Sequence, residues 1–487
     1  MKFTSKMNIL YSYNIVNDEL LNIDFKVFYE NKRRDSIFAA AYSKGNKIIA
    51  FRDHLGIIPL YYRKKGKEYY FSSVLSDLIE PSDSLNKEGL LNYIGFQSAK
   101  IISLFNNIKS VEPGTVIEIN KKTGVETIKY LYNISPKKDL YYSKKTIIKN
   151  FEFYFDRAIK RSIKSDHVGL YLSGGVDSSL IAYFLLKNGV NLTCYTSILD
   201  QNDKHYYQSK RICKFLNIKN HIVDKINFED SETLLNKTHI LNGGPGGTTA
   251  SLNLVSLWNN TNIKEREQMY FGQNLDTLFM CMGNQFRTYF ASLLPNFLSK
   301  KVKYQYYGEN YRMDKDSITS NYLNYRSNGY VQENSYLNKI FSMNRFSKSQ
   351  KIILSGVFCG HTPADGESFV MPSVNNNRLI SNPYYDVDFA EFIMGIPLKY
   401  KFKIKFNKKI LFNPIECLKI HKNLYLEFAK TLFPDDIIYP KKSFIVPDFN
   451  LITDKMKESF SYDYQSVKLN NIQSRIAVKI LQNFLNE

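Results

Sequence analysis

The sequence predicts an α/β protein in two unequal domains: an antiparallel β-rich unit over residues 1–135, and a doubly wound parallel sheet with many helices over residues 145–487. Three observations predict it. Short apolar or alternating runs separated by turn residues fill the chain up to about Asn133. Strand and helix patterns then alternate from Lys145 to Val223. Finally, 487 residues exceed the roughly 250–300 at which a single core stops growing.

The first unit reads as strands at Ile37–Tyr42, Lys47–Arg52, Leu60–Arg63, Glu68–Ser73 and Gly114–Ile119. Gly45-Asn46, Gly66 and Pro113-Gly114 mark the turns between them. The polar stretch Asn133–Ser143, with Pro136-Lys137-Lys138-Asp139, reads as a linker. A helix follows over Lys145–Ser162, because Ile148, Phe151, Phe155, Ala158 and Ile159 recur at the helical period. Strand Val168–Leu172, a helix through Leu180–Leu186 closed by Asn188-Gly189, strand Leu192–Ile198, helix Tyr206–Leu216 and strand His221–Val223 follow. From Ser251 onward the pattern is mostly helical, with a strand at Gln268–Phe271, and no fixed-period repeat occurs.

The most informative segment is Leu172-Ser173-Gly174-Gly175-Val176-Asp177-Ser178-Ser179, where a strand runs through a glycine turn into a helix. Glycines let backbone N–H groups face a ligand, and the helix N-terminus adds partial positive charge, so the turn is an anion site. Ser173, Ser178 and Ser179 add hydroxyl donors, and Asp177 adds a carboxylate suited to Mg2+ beside phosphates. No Gly-Lys-Ser/Thr follows the glycines and a third glycine is missing, which excludes the kinase-type and dinucleotide loops.

Composition narrows the class. Aromatic content of 15% and hydrophobic content of 44% suffice for buried cores. No apolar run is long enough to span a bilayer and no signal-like apolar region follows Met1-Lys2-Phe3, so a cytoplasmic enzyme with no membrane role is expected. Cys194, Cys213, Cys281, Cys359 and Cys417 form no Cys-x-x-Cys pair, and the seven histidines form no ligand-spaced pair. Reduced thiols are expected, and zinc is not. The net charge of +20 comes from lysines spread along the whole chain without an Arg-rich block, so no nucleic-acid partner is expected.

Ser173-Gly174-Gly175-Val176-Asp177-Ser178 resembles the pyrophosphate-binding loop of the asparagine synthetase family, and further pieces follow in that family's order. Arg52-Asp53-His54-Leu55-Gly56-Ile57-Ile58-Pro59-Leu60-Tyr61-Tyr62, Phe71-Ser72-Ser73 and Val111-Glu112-Pro113-Gly114 resemble its N-terminal amidotransferase domain. Gly272-Gln273-Asn274-Leu275-Asp276-Thr277-Leu278-Phe279 is similar to Gly-Glu-Gly-x-Asp-Glu-Leu-Phe. Asn382-Pro383-Tyr384-Tyr385-Asp386 and Tyr439-Pro440-Lys441-Lys442-Ser443-Phe444-Ile445-Val446-Pro447 continue the match, which spans residues 35–450. The resemblance implies a degenerate glutaminase-like (Ntn-hydrolase-like) domain joined to an ATP-binding synthetase domain. It implies ATP bound by Leu172, Ser173, Gly174, Gly175, Asp177, Ser178 and Gly272, Mg2+ on Asp177 and Asp276, and catalysis by Lys441 and Asp177.

The departures matter as much. Glutamine-dependent members begin Met-Cys, whereas here the first cysteine is Cys194 and the N-terminal domain looks shortened. Glutamine hydrolysis is therefore not expected. What remains is adenylation of a carboxylate with release of pyrophosphate and coupling to an amine from elsewhere. Resemblance to the cysteine-less members implies a lasso-peptide macrolactam cyclase acting on a precursor peptide beside a cognate protease. The alternatives are a β-lactam synthetase-like enzyme, ammonia-dependent amidation of a small metabolite, and a non-catalytic precursor-binding scaffold. Gln273, Thr277 and Asn242-Gly243-Gly244-Pro245 stand where family members carry acids that help recognise small amino-acid substrates. The loop Gly243-Gly244-Pro245-Gly246-Gly247 reads either as room for a larger substrate or as surface flexibility.

Overall fold

The alternating runs of the first unit pair into two antiparallel sheets. In the computed structural model the described residues are 37–96, 98–130, 143–198, 203–226, 231–247, 249–281, 335–359, 361–405 and 424–437, with short pieces elsewhere. Strands β1 (Phe3–Thr4), β2 (Ile9–Ser12), β3 (Ala39–Lys44), β4 (Lys47–Arg52), β5 (Tyr61–Lys65), β6 (Glu68–Ser72), β7 (Lys109–Ser110), β8 (Thr115–Asn120) and β9 (Glu126–Tyr130) form them. Their orders are β1-β6-β5-β7 and β2-β3-β4-β8-β9. All five expected strands are present within two residues at either end. Gly45 turns the β3–β4 hairpin at φ 56°, a backbone region that costs glycine little.

Strands β1, β2, β7 and β9 and a helix were not expected. Strand β9 has no buried face, and its pairing with β8 places it in the sheet. Helix α1 (Lys87–Phe96) carries an Asn cap, the Asn86 carboxamide accepting from the Glu88 and Gly89 amides at 3.0 and 3.3 Å. The cap signal was in the sequence; the apolar period behind it was weak. Most of the expected linker over 133–143 lies outside the described residues.

Arg52 holds the first unit together. It is fully buried, and its guanidinium donates to the carbonyls of Ile58 (2.6 Å), Lys100 (2.7 Å), Val111 (2.9 Å) and Gly56 (2.7 Å). Burial works against its charge, and the neighbouring Asp53 carboxylate works for it. Asp53 in turn accepts the Leu55 and Ile57 amides at 3.1 and 3.0 Å, tying the turn after β4. Burial lifts the Asp53 carboxyl to about 6, against the pull of Arg52.

The second unit begins with α2 (Lys144–Ser162), capped by Ser143, whose hydroxyl accepts the Thr146 amide at 3.2 Å. Five parallel strands follow: β10 (His167–Tyr171), β11 (Asn191–Ile198), β12 (Asn220–Lys225), β13 (Gln268–Tyr270) and β14 (Leu379–Ser381), in the order β12-β11-β10-β13-β14. Helices α3 (Val176–Lys187), α4 (Lys204–Phe215), α5 (Ser231–Asn242) and α6 (Thr249–Asn260) provide the crossovers. Then come α7 (Leu275–Leu278), α8 (Ser335–Ser342), α9 (Lys348–Cys359), α10 (His361–Asn375), α11 (Val387–Gly395) and α12 (Leu398–Lys401). A hairpin of β15 (Phe402–Lys405) and β16 (Lys419–Lys422) and a helix α13 (Leu424–Leu432) follow. The doubly wound sheet is thus the expected one. Strand β14, three residues long, was not expected.

One apolar core joins both units, running from Ile48 and Phe71 through Leu170, Leu180 and Phe389 to Phe428. A second cluster around Leu75, Tyr93 and Leu104 includes Leu481 and Phe484, so the far end of the described chain packs on the first unit. Among the described residues no helix is long and apolar enough to cross a membrane.

Candidate active site

Strand order reverses between β10 and β13: β11 and β12 lie to one side, β14 to the other. Ligands of open parallel sheets sit at the carboxyl ends of strands flanking such a reversal. The two loops singled out in the sequence leave the sheet there, Leu172–Ser178 after β10 and Gly272–Asp276 after β13.

The first loop is a narrow cradle. Gly174 has φ +69°, and a Cβ on it would stand 2.8 Å from the Ser209 amide on α4. The Ser173 hydroxyl accepts from the Gly175 amide at 3.3 Å, and Ser179 donates to the Gly175 carbonyl at 2.8 Å. The Ser173 amide donates to the Ser178 hydroxyl at 3.3 Å, and a ring nitrogen of His205 meets the Ser173 carbonyl at 3.0 Å. Gly175 caps α3 without a side-chain hydrogen bond, which suits a helix end meant to face an anion. Leu172 is buried beneath the loop, its amide and carbonyl both engaged by β11.

The second loop touches the first. A Cβ on Gly272 would stand 3.0 Å from the Ser178 amide, so only glycine lets the turns approach this closely. Asp177 and Asp276 both lie in first turns of helices, α3 and α7, and both are half-buried. Two tyrosines absent from the sequence-derived site set them. Tyr384 donates to the Asp177 carbonyl at 2.7 Å, and Tyr425 donates to Asp276 Oδ1 at 2.5 Å. Burial, with both carboxylates adding to it, pushes both phenols well above the ordinary tyrosine value. Each hydroxyl feels Asp177 and Asp276 together, which places the two acids at one site.

Tyr384 arrives there through the Asn382–Asp386 segment. Asn382 caps a short turn by accepting the Tyr384 amide at 2.9 Å and donates to the Gln273 carbonyl at 2.9 Å. Asp386 caps α11 by accepting the Phe389 amide at 3.0 Å. A tyrosine inside an apolar run gave no sequence signal beyond its motif.

The cradle fits a nucleotide triphosphate with Mg2+. Among the described residues no group of three or more His, Cys, Asp or Glu is placed to hold a metal unaided. Two carboxylates beside a phosphate cradle are what Mg2+ requires, since it takes phosphate oxygens and water for its other ligands. Beside them Gln273 Oε1 and both carboxamide atoms of Asn274 are buried without hydrogen-bond partners. Such atoms cost stability unless a ligand or water meets them.

Other expectations resolve differently. The glycine-rich loop is neither open nor floppy, since residues 242–247 are buried at the boundary between the units. The Tyr93 hydroxyl donates to the Pro245 carbonyl at 2.7 Å, and the Leu75 amide donates to the Gly243 carbonyl at 2.7 Å. Thr277 turns its methyl toward α9, where a Cβ on Gly356 would stand 3.0 Å away. Packing thus accounts for a position where relatives carry an acid. Lys441 and its motif lie outside the described residues.

Lys401 was missed altogether. It is buried beneath α7, donating to the Leu278 carbonyl at 3.4 Å, and burial pulls its ammonium down to about 7. Because the folded value lies below the unfolded one, protonation penalises the fold. That penalty is absent above about 10.5, grows as pH falls and is complete below about 7. Lys401→Met is therefore expected to gain more stability over the parent at about pH 6 than at about pH 9. Urea unfolding at both pH values checks it, and equal differences would refute it.

Tyr425→Phe is expected to raise the Mg2+ concentration for half-maximal turnover about 10-fold or more, because it frees the Asp276 carboxylate to rotate. A Mg2+ titration of pyrophosphate release measures this, and an unchanged midpoint would make the hydroxyl dispensable.

A family model described as a glutamine amidotransferase domain matches residues 31–131, and one described as asparagine synthase matches residues 151–295. Asparagine synthetase [glutamine-hydrolyzing] 3 of Bacillus subtilis (strain 168) is 28% identical over 35% of this chain and 29% of its own length. Asparagine synthetase [glutamine-hydrolyzing] 2 of the same organism is 28% identical over 28% of this chain and 21% of its own. The matched segments thus span less than a third of either relative. Among solved structures, an NH3-dependent NAD synthetase from Campylobacter jejuni aligns at 18% identity over 29% of this chain and 61% of that one, with a TM-score of only 0.20.

Proposed function

From a chain that belongs to the asparagine synthetase family, we propose an ATP-dependent carbon–nitrogen ligase that activates a carboxylate and joins it to an amine. One observation carries the reading: the Ser173–Ser178 cradle and the Asp276 loop meet at the reversal of strand order, with both aspartates beside Tyr384 and Tyr425.

The chemistry follows from the charges. A carboxylate oxygen attacks the α-phosphorus of ATP; the new O–P bond forms as the bond to pyrophosphate breaks. The amine then attacks the activated carbonyl, loses a proton, and AMP leaves as the amide forms. The Ser173–Ser178 amides and the α3 N-terminus would hold the departing pyrophosphate. Asp177 and Asp276 would hold Mg2+, which when bound draws charge toward that leaving group. Lys441, by resemblance, would face the negative charge that develops at the reacting carbonyl.

The amine is the finer question. No cysteine precedes Cys194, so a thiol nucleophile is missing from the sequence around the amidotransferase match. The acceptor reading we favour is a lasso-peptide macrolactam cyclase, in which a side-chain carboxylate of a peptide joins that peptide's own N-terminal amine. Its partners would be a precursor peptide and the protease that frees the amine. The neutral carboxamides of Gln273 and Asn274, with unsatisfied buried atoms, support a substrate rich in peptide-like hydrogen-bonding groups.

Incubation with ATP and a precursor peptide should yield AMP, pyrophosphate and a product lighter than the peptide by one water. Release of ADP would end the adenylating mechanism. Asparagine formed from aspartate, ATP and ammonium at a comparable rate would replace the cyclase reading with small-metabolite amidation.

A further inference from the structure

We propose that Cys194 and Cys213 form a peroxide-responsive thiol pair, whose closure to a disulfide clamps α4 onto β11 and weakens nucleotide binding at the Ser173–Ser178 cradle. The effect on nucleotide rests on the ligase reading; the thiol chemistry stands apart from it.

Period and register bring the two thiols together. Successive residues of a strand point to opposite faces of the sheet. On β11 the Tyr195 hydroxyl donates to Asn262 Oδ1 at 2.9 Å and accepts from Arg266 at 2.8 Å, so Tyr195 faces the segment that follows α6. Cys194 and Thr196 therefore share the other face. His221 of β12 stands beside Cys194 in the parallel register, and its Nε2 lies 2.8 Å from the Thr196 hydroxyl, on that same face. Helix α4 packs on β11 and β12, and Ser209, Ile212 and Cys213 recur at helical spacing as its buried residues. Cys213 thus meets Cys194 between helix and sheet, with His221 alongside.

The trio suits thiol oxidation. The Thr196 hydroxyl spends its one hydrogen on the Leu172 carbonyl at 2.7 Å, so His221 Nε2 is the donor to Thr196. Nδ1 is then the basic nitrogen of the neutral ring, available for a thiol proton. The neighbouring Cys194 thiol, and then the His221 ring, hold the Cys213 thiol below its ordinary value against burial. Burial pushes Cys194 the other way. Cys213 is therefore the attacking thiolate and Cys194 the resolving partner. Cys213 is 5% exposed and His221 is half-buried on the edge strand, so hydrogen peroxide approaches from that edge.

The steps balance. The Cys213 thiolate attacks one peroxide oxygen, the O–O bond breaks, and hydroxide leaves as water with the proton Cys213 gave up. The Cys194 sulfur then attacks the sulfenic acid on Cys213. The S–S bond forms, the S–O bond breaks, and a second water leaves with the Cys194 proton. The thiols are oxidised to the disulfide and peroxide is reduced to water.

Helix α4 carries the effect to the cradle. A ring nitrogen of His205 meets the Ser173 carbonyl at 3.0 Å, and a Cβ on Gly174 would stand 2.8 Å from the Ser209 amide. Drawing two sulfurs from contact to covalent distance moves the helix, which lies too close to Gly174 to shift without the cradle.

The test treats the full reduced chain with hydrogen peroxide and maps its tryptic peptides without reduction. The peptides Asn188–Lys204 and Ile212–Lys214 should appear joined, lighter than the two free thiol peptides by two hydrogens. ATP affinity, measured calorimetrically, should fall about tenfold and return with a dithiol reductant. Cys213→Ala and Cys194→Ala should each keep the affinity of the reduced parent after the same treatment, and using both covers the case in which one folds poorly. No joined peptide, a link to another cysteine, or unchanged affinity in the cross-linked chain overturns the proposal. A reduced chain that binds no ATP would instead sink the ligase reading, on which the peptide map does not depend.

Discussion

Asp276→Asn is expected to lower pyrophosphate-forming turnover by about 10²–10³-fold while leaving the fold intact. Asparagine keeps the size of the side chain and an Oδ1 that can still accept the Tyr425 hydroxyl, bonded to Asp276 at 2.5 Å in the parent. Only the charge is lost, so the variant isolates what the carboxylate does for Mg2+. Asp177→Asn should behave alike, because Tyr384 is held by the Asp177 backbone carbonyl and not by its side chain. If both acids hold one ion, the double variant should be little worse than either single one, since the second loss removes a ligand from an ion already gone. Turnover and thermal unfolding of the three variants check this. Activity within about threefold of the parent in either single variant would remove that residue from the metal site.

The second large effect concerns stability. Arg52→Met should destabilise the first unit by about 3–5 kcal/mol or more, because it strands the carbonyls of Gly56, Ile58, Lys100 and Val111 without their donor. It also removes the guanidinium that offsets the burial of the Asp53 carboxylate. Arg52→Lys should restore little, since one ammonium cannot reproduce a planar fork that reaches four oxygens. Chemical unfolding of both variants measures this; a loss below about 1 kcal/mol would show that the carbonyls find other partners. The motif around Arg52 marks the family in sequence, and its visible work in this chain is structural.

Much of the fold was legible. Alternating or apolar runs placed β3, β4, β5, β6 and β8, and the alternation after Lys144 placed the parallel sheet through β12. These are local signals, set by which face of each element is buried. The cradle was legible for the same reason: strand, glycine turn and helix N-terminus are contiguous, so Ser173–Ser178 announces its own geometry. Asp276 was legible only through its motif, because what makes it a site is the neighbouring strand.

Contacts between distant segments left no such trace. Tyr384 and Tyr425 reach Asp177 and Asp276 across more than a hundred residues, and nothing near either tyrosine distinguishes it from core. The glycine-rich loop read as open or floppy, yet Val74, Leu75 and Tyr93 of the other unit close over it. Cys194 and Cys213 look scattered but come close together between β11 and α4. Lys100, Gln273 and Gly366 meet only because the two units pack together.

By itself, then, the sequence determined the two-unit α/β architecture and the glycine-turn cradle, because backbone conformation and hydrophobic period are properties of neighbouring residues. The tertiary structure alone decided which side chains face that cradle and what charge they present, because burial and electrostatics depend on residues brought together from far along the chain.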